Sequence, residues 1–146
     1  MLRVCGLPGA WQAEGIVQRE VERVREQVGE RGEVVLGLSG GVDSSVTAAI
    51  LHRAIGDRLH CIFVDNGLLR KDERARVETT FGGHFQMDLT VVDATSRFLE
   101  ALRGVDDPEK KRKIIGHEFV EVFREEAKRF ERAHFLRLRV HRQRND

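Results

Sequence analysis

Three stretches of the chain hold residue types whose spacing can do chemistry. The first is Ser39-Gly40-Gly41-Val42-Asp43-Ser44-Ser45. Two adjacent glycines let the backbone turn tightly and approach a ligand with no side chain in the way. A helix starting there offers unpaired N–H groups and a positive dipole end, so an anion such as phosphate is the natural guest. Ser39, Ser44 and Ser45 add hydroxyl donors, and Asp43 can hold a divalent cation that balances polyphosphate charge. An isolated glycine pair between a strand and a helix is often no more than a capped turn. A run of small polar residues in that context is harder to explain as a turn alone. The second stretch, Val64-Asp65-Asn66-Gly67, reads either as a plain turn or as a ligand contact at the end of a strand. The third, Lys110-Lys111-Arg112-Lys113, is a cationic run that suits a solvated helix face or a phosphate contact.

Two rival motifs overlap the first stretch. The Walker A pattern fails, because no lysine stands at the end of the glycine loop. Gly37-Leu38-Ser39-Gly40-Gly41 does satisfy the G-x-S-x-G nucleophile elbow, and Asp93 and His117 follow in hydrolase order. That elbow needs an oxyanion loop from an earlier strand, whereas only one helix and a short lead-in precede Gly37. His117 also falls in a charged helical stretch where a solvated imidazole is expected. The remaining candidates are bland. Cys61 lies between apolar neighbours and reads as core, Cys5 has no metal partner nearby in sequence, and Trp11 is expected to pack on the first helix. His52, His60 and His84 show no metal-ligand spacing.

These residues must be held by regular elements, and the hydrophobic periodicity supplies them. Residues 12–28 place Ile16, Val17, Val21, Val24 and Val28 at helical spacing, with Gly29 and Gly32 beyond. Residues 33–38 are a buried-strand run, and the glycine stretch leads into a helix with Val46, Ile50, Leu51 and Ala54 on its inner face. Residues 59–64 read as a second buried strand, 70–81 as a helix and 86–94 as a third strand carrying Leu89, Val91 and Val92. A short helix over 95–103 and a longer one over 108–130 complete the order. Strands alternating with helices imply a parallel, doubly wound α/β sheet, whose ligands bind at the carboxyl ends of the strands. The first two chemical stretches sit at such ends.

Composition agrees with one compact domain. The chain has 146 residues, 40% of them hydrophobic and 34% charged, with 25 basic residues against 24 acidic ones. That balance gives no global reason to expect nucleic acid as a partner. No apolar run reaches the length of a bilayer span, the start does not read as a signal peptide, and two cysteines cannot build a disulfide scaffold. A cytoplasmic home is the expectation. The charge is uneven, since Arg132, Arg137, Arg139, Arg142 and Arg144 crowd the end of the chain against Glu131 and Asp146.

SGGVDSS after a buried strand resembles the PP-loop of ATP pyrophosphatases, which split ATP between its α and β phosphates. Four stretches narrow the likeness: VCGLPGAW (4–11), VLGLSGGVDSSV (35–46), FVDNGLLRKDE (63–73) and DPEKKRKIIGHEF (107–119). Together they are similar to the ATP-pyrophosphatase domain of glutamine-hydrolysing GMP synthetases, in family order from about residue 4 to residue 129. The resemblance implies an adenine nucleotide alpha hydrolase-like fold and a ligase reaction. In that reaction the 2-oxygen of XMP attacks the α-phosphate of Mg-ATP, pyrophosphate leaves, and ammonia from a glutamine amidotransferase domain or subunit displaces AMP to give GMP.

By the same resemblance Ser39, Gly40, Gly41, Val42, Asp43, Ser44 and Ser45 would cradle pyrophosphate, with Asp43 holding Mg²⁺. Val64, Asn66 and Gly67 would contact the nucleotide, while Lys111 and Lys113 of a lid-like segment would join Asp43 as catalytic residues. Residues 1–11 look like the linker after an amidotransferase domain, 12–130 like a partial ATP-pyrophosphatase domain, and 131–146 like a basic tail outside the family pattern. Where the family continues with Gln-Gly-Thr-Leu-Tyr-Pro, this chain reads AHFLRLRVHRQRND. A shifted reading frame or a truncated gene model is the expectation there, although Phe135, Leu136, Leu138 and Val140 alternate like a strand. The absence of the family's dimerisation domain leaves the oligomeric state open. The alternatives are a non-catalytic nucleotide-binding remnant and another PP-loop enzyme such as NAD synthetase. The lid-like DPEKKRKIIG speaks against that second alternative.

Overall fold

The computed structural model describes residues 13–130 and the short strand at 133–135. The expectations for Cys5, for Trp11, for the lead-in at 1–11 and for the tail beyond 135 lie outside the described residues.

Helix α1 (Ala13–Val28) lays Val17, Val21, Val24 and Val28 along one side and buries Val21 to 1% exposure. Its Arg25 donates to the carbonyls of Ala54 (2.9 Å) and Arg53 (3.2 Å), which ties it to the end of the next helix. Strand β1 (Glu33–Leu38) follows, then helix α2 (Val42–Ile55), strand β2 (Leu59–Asp65) and a short helix α3 (Glu73–Val77). Strand β3 (Asp88–Asp93), helix α4 (Thr95–Ala101), helix α5 (Pro108–Ala127) and strand β4 (Ala133–Phe135) complete the order.

The four strands form one parallel sheet in the order β3-β2-β1-β4. The chain winds outward from β1 to β3 and then returns to the other side of β1, so the sheet is doubly wound as expected. Alternation along each strand feeds two cores. Val34, Leu36 and Leu38 of β1 join Leu59, Cys61 and Phe63 of β2 beneath α1 and α2. Val35, Ile62 and Val64 face the other way, against Phe98 of α4 and Val122 of α5. Strands covered on both faces read as near-continuous apolar runs, which is why EVVLGL and LHCIFV are legible in the sequence.

Three details differ from the sequence expectation. The glycine loop is shorter, because α2 begins at Val42 and takes Asp43, Ser44 and Ser45 into its first turn. Val46 is 53% exposed; the inner face of α2 is Ala48, Leu51, Ala54 and Ile55. At 100° per residue Val46 lies far around the helix from Ala48. The helix expected over 70–81 is only α3, preceded by Asp72 in the left-handed region (φ 63°) and followed by a wider π-type winding at Glu78–His84. Thr79 and Thr80 disfavour regular helix through their branched side chains, and Gly82-Gly83 weaken it further.

Candidate functional site

The carboxyl end of β1 meets the amino end of α2 through Ser39, Gly40 and Gly41. This end lies between β2 on one side and β4 on the other, where the winding reverses. In open α/β sheets that reversal opens a crevice for ligands. Gly40 takes φ +72°, a left-handed conformation that costs other residues about 1–2 kcal/mol. A Cβ there would lie 2.6 Å from Glu73 Oε1, the far end of a side chain that would have to shift, so the backbone conformation is the stronger demand for glycine.

Gly41 caps α2 with no side-chain hydrogen bond of its own. The serines organise the turn instead. Ser39 Oγ lies 3.1 Å from Ser44 Oγ and accepts from the Gly41 amide at 3.4 Å. Ser44 Oγ and Ser45 Oγ donate to the Gly41 carbonyl at 3.0 and 2.8 Å. The hydroxyls thus hold the loop in shape while it stays solvent-facing, with Gly40, Gly41, Val42 and Asp43 all exposed. An exposed helix start of this kind attracts anions through its free N–H groups.

Asp43 projects from the first turn of α2. Among the described residues no group of three or more His, Cys, Asp or Glu gathers to hold a metal ion. A single exposed carboxylate beside an anion site suits Mg²⁺, which is bound through one or two carboxylates together with phosphate oxygens and water.

The second stretch closes the carboxyl end of β2. Asp65 Oδ1 accepts from the Gly67 amide at 3.0 Å, and Asn66 Oδ1 from the Leu68 amide at 2.9 Å. Asp65 also pairs with Arg74 at 3.4 Å. Gly67 has φ +72°, and a Cβ there would meet Thr95 Cγ2 at 2.5 Å. The turn is therefore built as a turn, with its backbone pressed against the start of α4. On the neighbouring strand Asp93 sits in register with Asp65. Its carboxyl is held below the usual carboxylate range, chiefly by the Thr95 backbone N–H, with help from the Thr95 hydroxyl.

The cationic run falls on the first turns of α5, a regular helix capped by Asp107, whose carboxylate accepts from the Lys110 amide at 2.7 Å. Arg112 pairs with Glu109 at 2.7 Å, while Lys111 and Lys113 are exposed and form no ion pair among the described residues. Farther along, Phe123 packs against Gly37 of β1, which fixes α5 to the strand that carries the glycine loop.

The hydrolase reading finds no support in these contacts. Ser39 spends its hydroxyl on Ser44 and the Gly41 amide, Asp93 is engaged by Thr95, and His117 is exposed on α5. Cys61 is core as expected, its thiol pushed up to about 12 by burial and then by the nearby Asp88. His60 is less isolated than its sequence position suggests. It stacks on Phe130 with ring centroids 4.3 Å apart and bonds Asp88 at 2.5 Å, at the end of the sheet away from the glycine loop.

Sequence reasoning missed the residues facing the loop from across the crevice. A cleft beside Gly40 and Ser45 is lined by Arg70, Glu73, Arg76 and Thr80. Arg70 and Glu73 lie in the family-like stretch 63–73, while Arg76 and Thr80 carry no signal in the sequence beyond the expected helix over 70–81.

The chain matches the family model described as NAD synthase over residues 16–119. It is 60% identical over 133 residues to a GMP synthase [glutamine-hydrolyzing] of Alkalilimnicola ehrlichii, which covers 91% of this chain and 25% of that protein. A GMP synthase [glutamine-hydrolyzing] of Vibrio parahaemolyticus is 56% identical, covering 93% of this chain and 26% of that protein. The chain thus spans about a quarter of the length of these relatives. Among solved structures, an NH3-dependent NAD synthetase from Campylobacter jejuni, in complex with the nitrate ion, superposes with a TM-score of 0.70 at 14% identity, over 86% of this chain and 56% of that one. A glutamine-dependent NAD+ synthetase from Acinetobacter baumannii, in complex with ADP, gives 0.67 at 20% identity, over 84% and 25%. Likeness at that identity shows the fold, the PP-loop adenine nucleotide alpha hydrolase architecture.

Proposed function

The chain belongs to the NAD synthase family, and from that premise we propose that it is the ATP-pyrophosphatase portion of a GMP synthase, binding Mg-ATP and adenylylating XMP. The observation that carries this reading is the Ser39–Gly41 turn at the reversal point of the sheet, within a stretch 60% identical to a GMP synthase. The far lower identity to NAD synthetases supports a shared fold rather than a shared substrate. The ADP of the Acinetobacter baumannii neighbour supports an adenine nucleotide as guest.

In this reading the loop amides and the start of α2 hold the pyrophosphate end of ATP, where charge grows as the leaving group departs. Asn66 and Gly67 meet the adenosine, joined by Val64 through its backbone since its side chain is in the core, and Lys111 and Lys113 reach phosphate oxygens from α5. Asp43 holds Mg²⁺, which when bound neutralises polyphosphate charge and assists nucleotidyl transfer. The 2-oxygen of XMP forms a bond to the α-phosphorus as the bond to the β-phosphate bridging oxygen breaks. The electron pair leaves with pyrophosphate, and no protein nucleophile is required. Ammonia, derived from glutamine in the named relatives' activity, then displaces AMP.

The test is XMP-dependent exchange of labelled pyrophosphate into ATP, with Asp43→Ala as control. Exchange that needs XMP and is lost in the control supports the proposal. Binding of ATP without exchange assigns the chain the nucleotide site alone and overturns the adenylylation step.

A further inference from the structure

The side of the cleft facing the glycine loop contains a carboxylate whose position is unexpected next to an anion site. Glu73 is partly buried, and its Oε1 stands beside Gly40, where a Cβ added to the glycine would come within 2.6 Å of it. Its Oε2 accepts from the Arg70 amide at 3.0 Å, and its own amide donates to the Arg70 carbonyl at 3.1 Å. One side chain therefore touches both walls of the cleft, the loop after β1 and the turn before α3. Arg70 and Arg76 line the same cleft with Ser45.

An acid placed there to repel phosphate would weaken the site. The Glu73 carboxylate is instead engaged within the fold, by the Arg70 amide and by its place beside Gly40. We propose that Glu73 is a positioning residue, bracing Gly40 in its left-handed conformation and fixing the Arg70 turn so that the arginine faces the polyphosphate end of the nucleotide. The proposal rests on the Mg-ATP reading above. It extends that reading to a residue acting through its shape and hydrogen-bond acceptors rather than through its charge.

Glu73→Gln keeps the acceptor for the Arg70 amide and the bulk against Gly40, whereas Glu73→Ala removes both. Amide hydrogen exchange on the ligand-free chain reads the brace directly. Exchange at the Arg70 amide should quicken by about tenfold in Glu73→Ala, the loss of roughly one hydrogen bond to a charged group, and stay near wild type in Glu73→Gln. Calorimetric titration should show Mg-ATP binding weakened about tenfold by Glu73→Ala, AMP binding changed less than about twofold, and both restored in Glu73→Gln. Unchanged amide exchange in Glu73→Ala overturns the proposal. So does a Glu73→Gln chain that loses Mg-ATP as badly as Glu73→Ala, since that result makes the charge, not the shape, the active property. A wild-type chain that does not bind Mg-ATP at all sinks the nucleotide reading, while amide exchange still decides the brace on its own.

Discussion

At the scale of single residues, the site depends on positions where only one side chain is tolerated. Gly40 meets two demands, a positive φ and an empty space in front of Glu73. Gly40→Ala should therefore lower the unfolding free energy by about 1–2 kcal/mol, the cost of a left-handed alanine, as measured by urea denaturation. An unchanged midpoint would show that the loop relaxes freely, contrary to the geometry. Cys61 makes the opposite point. Its thiol is raised to about 12 by burial, with Asp88 adding to the effect, so no thiolate is present near neutrality. In a Cys5→Ser background, a thiol reagent should leave the native chain unmodified and label it only once it is unfolded. The glycine, serine and aspartate types at the site were legible because their small polar character is tied to backbone geometry. Glu73, Arg70 and Arg76 were not, because their role arises only when two loops far apart in sequence meet across the crevice.

At the scale of elements, legibility followed how strongly a segment's surroundings agree with its local pattern. Strands β1 and β2 are buried on both faces, and their apolar runs announced them nearly to the residue. The helix expected over 108–130 from its apolar residues is α5, which Asp107 caps and which ends at Ala127. The segment after β2 places Glu73 and Val77 one helical turn apart, but its branched and glycine residues widen the winding at 78–84. Val46 was misplaced because α2 carries apolar residues around much of its circumference, so burial is decided by the sheet beneath Ala48 and Leu51. The joint between β3 and α4 offers a measurable case of local chemistry. Asp93 is held below the usual carboxylate range mainly by the Thr95 backbone N–H, so folding favours its ionised form. That contribution is complete above the ordinary aspartate pKa and fades as pH falls through the lower folded value. Asp93→Asn should be less stable than wild type near neutrality. The difference should close as pH falls through and below the ordinary aspartate range. A gap that stays constant over that range would remove the carboxylate from the explanation.

At the scale of the whole molecule, the two cores share one wall. Each central strand sends alternate side chains into both, so loosening either helical layer exposes the same sheet. The glycine loop hangs from β1, an inner strand of that sheet, paired with β2 over five residues and with β4 over three. A ligand gripping the loop is thus coupled to both layers rather than to a surface flap. Binding to the folded form alone stabilises it by about 2.7 kcal/mol at a ligand concentration one hundred times the dissociation constant. For a chain of this size that corresponds to a rise in the unfolding midpoint on the order of 10 °C. Mg-ATP should produce such a rise in a thermal melt, and AMP a smaller one, because on the proposed reading AMP leaves the Ser39–Gly41 turn empty. Asp43→Ala should reduce the Mg-ATP shift toward that of AMP, and withholding Mg²⁺ should do the same to the wild-type chain. Equal shifts for AMP and Mg-ATP would put the nucleotide elsewhere on the molecule, because the proposed function has only the phosphate end reach the loop.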